Sequence, residues 1–275
     1  MVITRSVKIF ACLVATTVAM LFCQHSIAES VGVNYGADFP HLNLLPTESA
    51  GVVPQQNWNN VSAAANPMVV ANLTQDTAGV GSPSGIKLTT GFAFASTLTG
   101  STVTNVGGAP LNTGDRKMME QYADVLDFGN ETTITLENLA GFGPFDLILY
   151  SAGTWNPPDP DRIAQYRFFD GTSTADPLLV TRLIRNKVNG FNVPNDAYKE
   201  SIGDGTIAGT VEGNYIRISN LNPSSGSLFL SAKALQGSPA RGAINGFQLI
   251  QVPEPGTIAL LVMASIAGVT LFRRR

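Results

Sequence analysis

Residues able to present a recognition site to an enzyme stand near the end of the chain, in the sequence Val252-Pro253-Glu254-Pro255. The two prolines have a fixed φ and no amide donor, so they hold the backbone extended and prevent a following helix from continuing backwards. Glu254 presents a single carboxylate between them. A membrane-embedded peptidase could read this shape without any folded partner.

An uncharged, mostly apolar run covers residues 256–272, and Arg273, Arg274 and Arg275 close the chain. A helix needs roughly 17–25 apolar residues to cross the hydrocarbon layer, so this run is long enough to span it. The three arginines cannot cheaply cross a bilayer and stay on the cytoplasmic side. The pattern predicts a transmembrane helix over residues 256–272, with everything before Pro253 outside.

Taken together, this ending resembles the PEP-CTERM sorting signal of Gram-negative bacteria, in which an exosortase recognises and processes a Pro-Glu-Pro motif, a transmembrane helix and a basic tail. The resemblance implies an exported protein that has the exosortase and the inner membrane as partners during sorting. It also implies that the protein finally reaches the cell surface or an exopolysaccharide matrix.

The other end of the chain has the pattern of a signal peptide. Arg5 and Lys8 precede an apolar stretch over residues 9–22, and small residues lead to Ala28, after which we expect cleavage. A lipoprotein signal at Cys23 is the alternative, but the bulky Phe22 precedes that cysteine. The sequence therefore predicts a signal peptide (1–28), an exported domain (29–252) and a sorting segment (253–275).

Several kinds of chemistry are excluded from the exported domain. Both cysteines lie in the signal peptide, so residues 29–252 contain no thiol, and His41 is their only histidine. There is no Gly-x-Ser-x-Gly motif either. We therefore expect neither an enzyme nor a resident cofactor. Asp159 and Asp161 with Asn156 could contribute to a calcium site, but their spacing is not that of an EF-hand, and a solvated acidic loop is the alternative.

The charge of the exported domain argues against nucleic acid as a partner. Of 17 lysines and arginines five lie in the end segments, and of 20 acids only Glu254 does, which leaves a net charge of −7 on residues 29–252. Binding to phosphates requires clustered basic residues, which this domain lacks.

The composition of the domain predicts an all-β fold. Its one convincing helical pattern covers residues 115–123, whereas short strand patterns separated by turn residues recur elsewhere. Residues 132–136 and 145–150 are expected to form two strands with a tight connection. About ten strands favour an antiparallel jelly-roll-like β-sandwich, because an open sheet of this size would expose an apolar face. The other strand patterns cover residues 31–35, 86–90, 92–94, 164–169, 178–185, 214–219, 227–233 and 244–252.

Four segments, residues 51–60, 138–150, 214–221 and 244–249, are similar to the carbohydrate-binding-like sandwiches of many PEP-CTERM proteins. This second resemblance concerns the fold rather than an activity.

Two tryptophans are candidate contacts for a glycan. Trp58 stands among glutamines and asparagines, a mixture that can stack on a sugar ring and bind its hydroxyls; the alternative is a packing role in which the amides satisfy loop backbone groups. Trp155 lies in a loop stiffened by three prolines, a rigidity that suits binding but could also simply end two strands.

We therefore expect a structural or adhesion protein of the cell surface or matrix that is processed by an exosortase. A lectin-like protein that binds extracellular polysaccharide is the alternative. A hydrolase with dispersed carboxylates is a third hypothesis, although no pair of acids is singled out by the sequence.

Overall fold

Alternating apolar residues along short strands build two large antiparallel sheets. The computed structural model describes residues 28–64, 67–91, 95–97, 114–126, 131–152, 162–186, 198–203, 205–236 and 241–252. In β9 (Thr132–Glu137), for example, Ile134 and Leu136 point into the core while Thr133 and Thr135 are half-buried on the other face. This alternation with a period of two residues is what a strand with one buried face requires.

Sixteen strands and one short helix, α1 (Gly114–Glu120), are found in the described residues. Two 3₁₀ turns accompany them, at Pro40–Leu42 and Leu139–Gly141. The strands other than β9 are β1 (Ser30–Asn34), β2 (Asn59–Asn60), β3 (Met68–Val70), β4 (Thr74–Thr77), β5 (Val80–Pro83), β6 (Lys87–Gly91), β7 (Ala95–Thr97), β8 (Gln121–Leu126), β10 (Phe145–Tyr150), β11 (Arg162–Asp170), β12 (Leu178–Asn186), β13 (Tyr215–Leu221), β14 (Leu228–Gln236), β15 (Arg241–Ile244) and β16 (Gly246–Gln251).

The first sheet has the strand order β13-β10-β16-β1-β4-β5, with β2 added in parallel beside β1. The second sheet has the order β12-β11-β14-β9-β6-β3, and every pairing within it is antiparallel. A small third sheet consists of β15, β8 and β7.

One hydrophobic core joins the two large sheets. Leu149 and Phe247 from the first sheet belong to the same buried cluster as Tyr166, Phe168 and Leu230 from the second. The sheets therefore pack face to face, and the predicted all-β antiparallel sandwich is confirmed. Residues Glu29–Gln251 form one compact unit.

Three local expectations differ from the structure. The helix ends at Glu120, whereas Gln121, Tyr122 and Ala123 begin β8, because they pair with β7 on one side and Ala123 also with β15 on the other. β9 and β10 lie in different sheets, so their connection crosses the sandwich instead of closing a hairpin. The expected last strand over residues 244–252 is divided at Asn245 into β15 and β16.

The predicted signal peptide up to residue 27 and the predicted transmembrane helix lie outside the described residues. Within the part of the chain that the structure describes, no helix combines the length and the apolar character that crossing a membrane requires.

Candidate functional site: the end of strand β16

Strand β16 lies inside the first sheet, directly before the proline-rich segment. It pairs antiparallel with β1 on one side and with β10 on the other. Phe247 and Leu249 point into the core, so the intervening Gln248 points to the opposite face. Gly246 is the first residue of β16. A Cβ at this position would lie 2.2 Å from the Val33 carbonyl oxygen, so only glycine allows β16 to approach β1 this closely.

The last residue of β16 is held from both sides. The Gln251 amide donates to the Glu29 carbonyl oxygen at 2.9 Å, and its side-chain Nε2 donates to the Phe142 carbonyl oxygen at 2.8 Å. Only Val252 stands between this residue and Pro253. The last residue of the folded sandwich is therefore separated from Pro253 by one residue of sequence.

The same hydrogen bond brings the two ends of the exported domain together. Glu29 is the residue that follows the predicted cleavage site at Ala28, and Ser30 is the register partner of Ile250. The chain thus enters and leaves the sandwich at neighbouring positions of one sheet. A cut at either end leaves the pairing of β1 with β16 intact.

Gln248 anchors the loop of residues 51–56 on the outer face of this sheet. Its Nε2 donates to the Val53 carbonyl oxygen at 2.8 Å and to Gln55 Oε1 at 3.0 Å, and its Oε1 accepts from the Tyr150 hydroxyl. The Tyr150 oxygen accepts in turn from the Val52 amide at 2.8 Å. Burial raises the pKa of Tyr150 well above its usual value, so the phenol stays protonated and serves as a structural hydrogen-bond donor.

Trp58 packs beneath this loop. Its side chain is 6% exposed, and Nε1 donates to the Gln55 carbonyl oxygen at 3.0 Å. The indole lies over β1, where a Cβ on Gly32 would stand 2.6 Å from Trp58 Cε3. The Tyr150 ring is also near, at 6.4 Å between ring centroids. This environment fits the packing alternative for Trp58, since its flat face is not open to a sugar.

The amides beside Trp58 satisfy backbone groups, as that alternative requires. Asn59 Nδ2 donates to the carbonyl oxygens of Gly32 and Thr74, at 2.9 and 2.8 Å. Asn60 exchanges two hydrogen bonds of 2.9 Å with the backbone of Leu44. The bonds of Asn59 fasten β2 to β1 and β4, and those of Asn60 fasten the segment around Leu44 to β2.

A second polar cluster, which was not predicted from the sequence, joins α1 to the same loop. Asp115 Oδ1 accepts from the Tyr198 hydroxyl at 2.5 Å and from the Gly51 amide at 2.7 Å. The rings of Tyr150, Tyr198 and Tyr215 lie 5.4 to 6.4 Å from one another. These groups are far apart in the chain, so no local pattern indicates the cluster.

The remaining predicted site residues lie outside the described ranges. They are Trp155, the calcium candidates Asn156, Asp159 and Asp161, the motif residues Pro253, Glu254 and Pro255, and the tail residues Arg273, Arg274 and Arg275. In the ranges that the structure does describe, no group of three or more histidine, cysteine, aspartate or glutamate side chains is placed to hold a metal ion.

Comparison with solved structures finds distant likenesses. A structure of TmCBM61 in complex with β-1,4-galactotriose is 13% identical with a TM-score of 0.28, over 62% of this chain and 90% of that chain. The K2 cleaved adhesin domain of Lys-gingipain is 11% identical with a TM-score of 0.28, over 52% and 76%. The K1 domain of Lys-gingipain from Porphyromonas gingivalis W83 is 9% identical with a TM-score of 0.26, over 47% and 72%. Likenesses this weak carry no argument about function.

Comparison by sequence identifies the end of the chain. No curated protein matches the chain. A family model described as the PEP-CTERM protein-sorting motif matches residues 251–275, and it begins at the last residue of β16. The chain therefore ends in a PEP-CTERM sorting motif, the mark of an exported protein that is anchored transiently in the membrane through its C-terminus and recognised by an exosortase.

Proposed function

We propose that the exported domain, residues 29–252, is a non-enzymatic structural or adhesion protein of the cell surface or of an exopolysaccharide matrix. The observation that carries this proposal is the sorting motif over residues 251–275, which starts where the sandwich ends. The general secretory route delivers the chain, and exosortase processing then releases or re-anchors it.

The geometry of the two ends supports processing of a folded domain. Removal of the signal peptide after Ala28 leaves Glu29, whose carbonyl oxygen accepts from the Gln251 amide. Removal of the segment after Val252 leaves every described strand in place. Neither cut costs the sandwich a hydrogen bond between strands, so the domain keeps its fold when it leaves the membrane.

The build of the domain supports a role as a rigid surface. A single core joins the sheets without any cysteine, and buried amides fasten the loop around Trp58 to the first sheet. The net charge of −7 on residues 29–252 would repel an anionic polymer. We therefore expect contacts with neutral polysaccharide or with protein rather than with acidic polysaccharide.

The lectin-like alternative depends on Trp155, because Trp58 is buried. A glycan array probed with residues 29–252 separates the two functions: an adhesion protein gives no defined glycan preference, whereas a lectin gives one that Trp155→Ala removes. Screening of polysaccharide substrates tests the hydrolase hypothesis, in which an alanine scan of the acids would expose a catalytic pair.

Mass spectrometry of surface fractions tests the proposal, in cells with and without the exosortase. With the exosortase, we expect a mature N-terminus at Glu29 and no peptide that contains Arg273, Arg274 and Arg275. Without it, the basic tail should remain and the protein should stay in the inner membrane. An N-terminus at Met1, or a lipid on Cys23, would contradict the export route.

A further inference from the structure

The last residue of β16 is held by hydrogen bonds from both its main chain and its side chain. The Gln251 amide donates to the Glu29 carbonyl oxygen at 2.9 Å, and Nε2 donates to the Phe142 carbonyl oxygen at 2.8 Å. In the register of the sheet, Gln251 also lies opposite Phe145 of β10. Gln251 is therefore fastened on both sides, at the position where the match to the sorting motif begins.

The loop that accepts the side-chain bond is itself anchored to the domain. The Phe142 amide donates to the Leu139 carbonyl oxygen at 2.9 Å, and the Leu139 amide donates to the Gly226 carbonyl oxygen at 2.8 Å. The Phe142 ring is buried and lies edge-on to the Phe145 ring, with 6.0 Å between the ring centroids. The Phe142 carbonyl oxygen is thus a fixed acceptor, so the Gln251 side chain cannot leave the sheet without losing this bond.

The sorting motif follows this residue closely in the sequence. Val252 alone stands between Gln251 and Pro253, and a fully extended chain places Glu254 at most about 11 Å from Gln251. An extended peptide is commonly bound through its main-chain donors and acceptors. The main-chain amide of Gln251 is already bonded within the sandwich. An exosortase cleft that holds more than one residue before Pro253 therefore competes with the sandwich for Gln251.

Burial limits how far this end of β16 can open. Gln251 is half-buried, whereas Ile250 is buried and Leu249 belongs to the hydrophobic core. The end of a strand opens locally at a small cost in free energy, but opening a core strand costs nearly as much as unfolding the whole domain. Gln251 can therefore come free while the sandwich stays folded, and Leu249 cannot.

We infer that the sandwich restrains its own processing, because Gln251 must leave the end of the sheet before the exosortase can bind the motif. When this opening is fast relative to cleavage, the rate of processing is proportional to the fraction of molecules in which Gln251 is free. The inference rests on the proposed exosortase processing and adds what regulates its rate. The restraint prolongs the stay of the folded protein in the inner membrane.

Pulse–chase labelling of the full chain in exosortase-bearing cells tests this restraint, by following the conversion of the uncut form to the processed form. One variant carries a Gly-Ser-Gly-Ser linker between Val252 and Pro253, which moves the motif away from the sandwich. A second variant, Gln251→Ala, removes the side-chain bond to Phe142, and a third combines both changes. Gln165→Ala is the matched control, because Gln165 is a half-buried glutamine in β11 of the other sheet.

We expect Gln251→Ala to be processed about fivefold faster than the unmodified protein, since a typical hydrogen bond contributes about 1 kcal/mol and this energy corresponds to that factor. The linker variant should be processed at least as fast as Gln251→Ala. Adding Gln251→Ala to the linker should change the rate no further, because the motif is then accessible without any opening of the sheet. Gln165→Ala should be processed at the rate of the unmodified protein.

Equal or slower processing of the linker variant would overturn the inference, and this variant leaves residues 29–252 unchanged, so its rate does not depend on a loss of stability. Slower processing of Gln251→Ala would also overturn it, because the exosortase would then read this side chain directly. Circular dichroism of the processed proteins confirms that both alanine variants are folded. If no form is processed, the proposed function itself fails, whereas processing of every form at one rate removes only the restraint.

Discussion

Replacement of Trp58 by alanine should destabilise the domain strongly, because the indole is a packing element of the loop over the first sheet. The side chain is 6% exposed, and its Nε1 hydrogen bond to the Gln55 carbonyl oxygen is 3.0 Å long. Alanine would remove the ring from above Gly32 and leave the Gln55 oxygen without this donor. Trp58→Phe keeps most of the packing and loses only the hydrogen bond and part of the ring.

The size of the effect follows from the buried area. A tryptophan buries about 200 Å², which at about 25 cal/mol per Å² corresponds to about 5 kcal/mol. Substitutions of buried tryptophan or phenylalanine by alanine cost about 3–5 kcal/mol. For a domain of this size each kcal/mol shifts Tm by about 2–4 °C, so a decrease of roughly 6–20 °C is expected.

Urea unfolding of residues 29–252, followed by far-ultraviolet circular dichroism, measures this loss in the free energy of unfolding. Leu45→Ala is the control, because Leu45 is 56% exposed, and it should cost less than about 0.5 kcal/mol. We expect Trp58→Phe to lie between the two. A loss below about 1 kcal/mol for Trp58→Ala would refute the packing role and return Trp58 to the candidate glycan contacts.

Two further changes have defined outcomes. Trp155→Ala should abolish any glycan binding seen on an array and leave the urea midpoint nearly unchanged; an unfolded variant would instead make Trp155 a core residue. Hydrogen bonds from Ser224 and Ser225 hold the pKa of Asp170 below its usual value. These bonds therefore stabilise the folded domain above about pH 4, and this stabilisation is lost as the pH falls further. In acid titrations followed by circular dichroism, Asp170→Asn should therefore be less stable than the unmodified domain at pH 7 and lose less on acidification, and equal losses would contradict this assignment.

The strands were more predictable than their partners. β10 has the bounds expected for it, Phe145–Tyr150, because aliphatic and aromatic residues between turn residues are typical of a buried strand. The pattern reports burial rather than pairing, so it could not show that β9 and β10 belong to opposite sheets. Likewise, Tyr122 and Ala123 follow a helical pattern, and pairing with β7 overrides that local preference.

The sequence indicated the two possible roles of Trp58 but could not decide between them. A tryptophan among amides allows both packing and glycan binding, and the choice depends on burial, which the local sequence does not report. The sequence could have indicated that Gln248 has hydrogen-bond partners, because it is a polar residue in an apolar strand and buried amides need such partners. Its partner Val53 lies 195 residues away in the chain, so the identity of that partner depends on the fold alone.

Processing of a variant with Pro253, Glu254 and Pro255 all replaced by alanine tests whether the exosortase recognises this motif. The substitutions lie beyond β16, so export and folding of residues 29–252 should be unchanged. We expect the variant to remain uncut in the inner membrane and to retain Arg273, Arg274 and Arg275, as the unmodified protein does when the exosortase is deleted. If the triple variant is processed and reaches the surface at the normal rate, the end of the chain is only a membrane anchor and does not direct sorting by the exosortase.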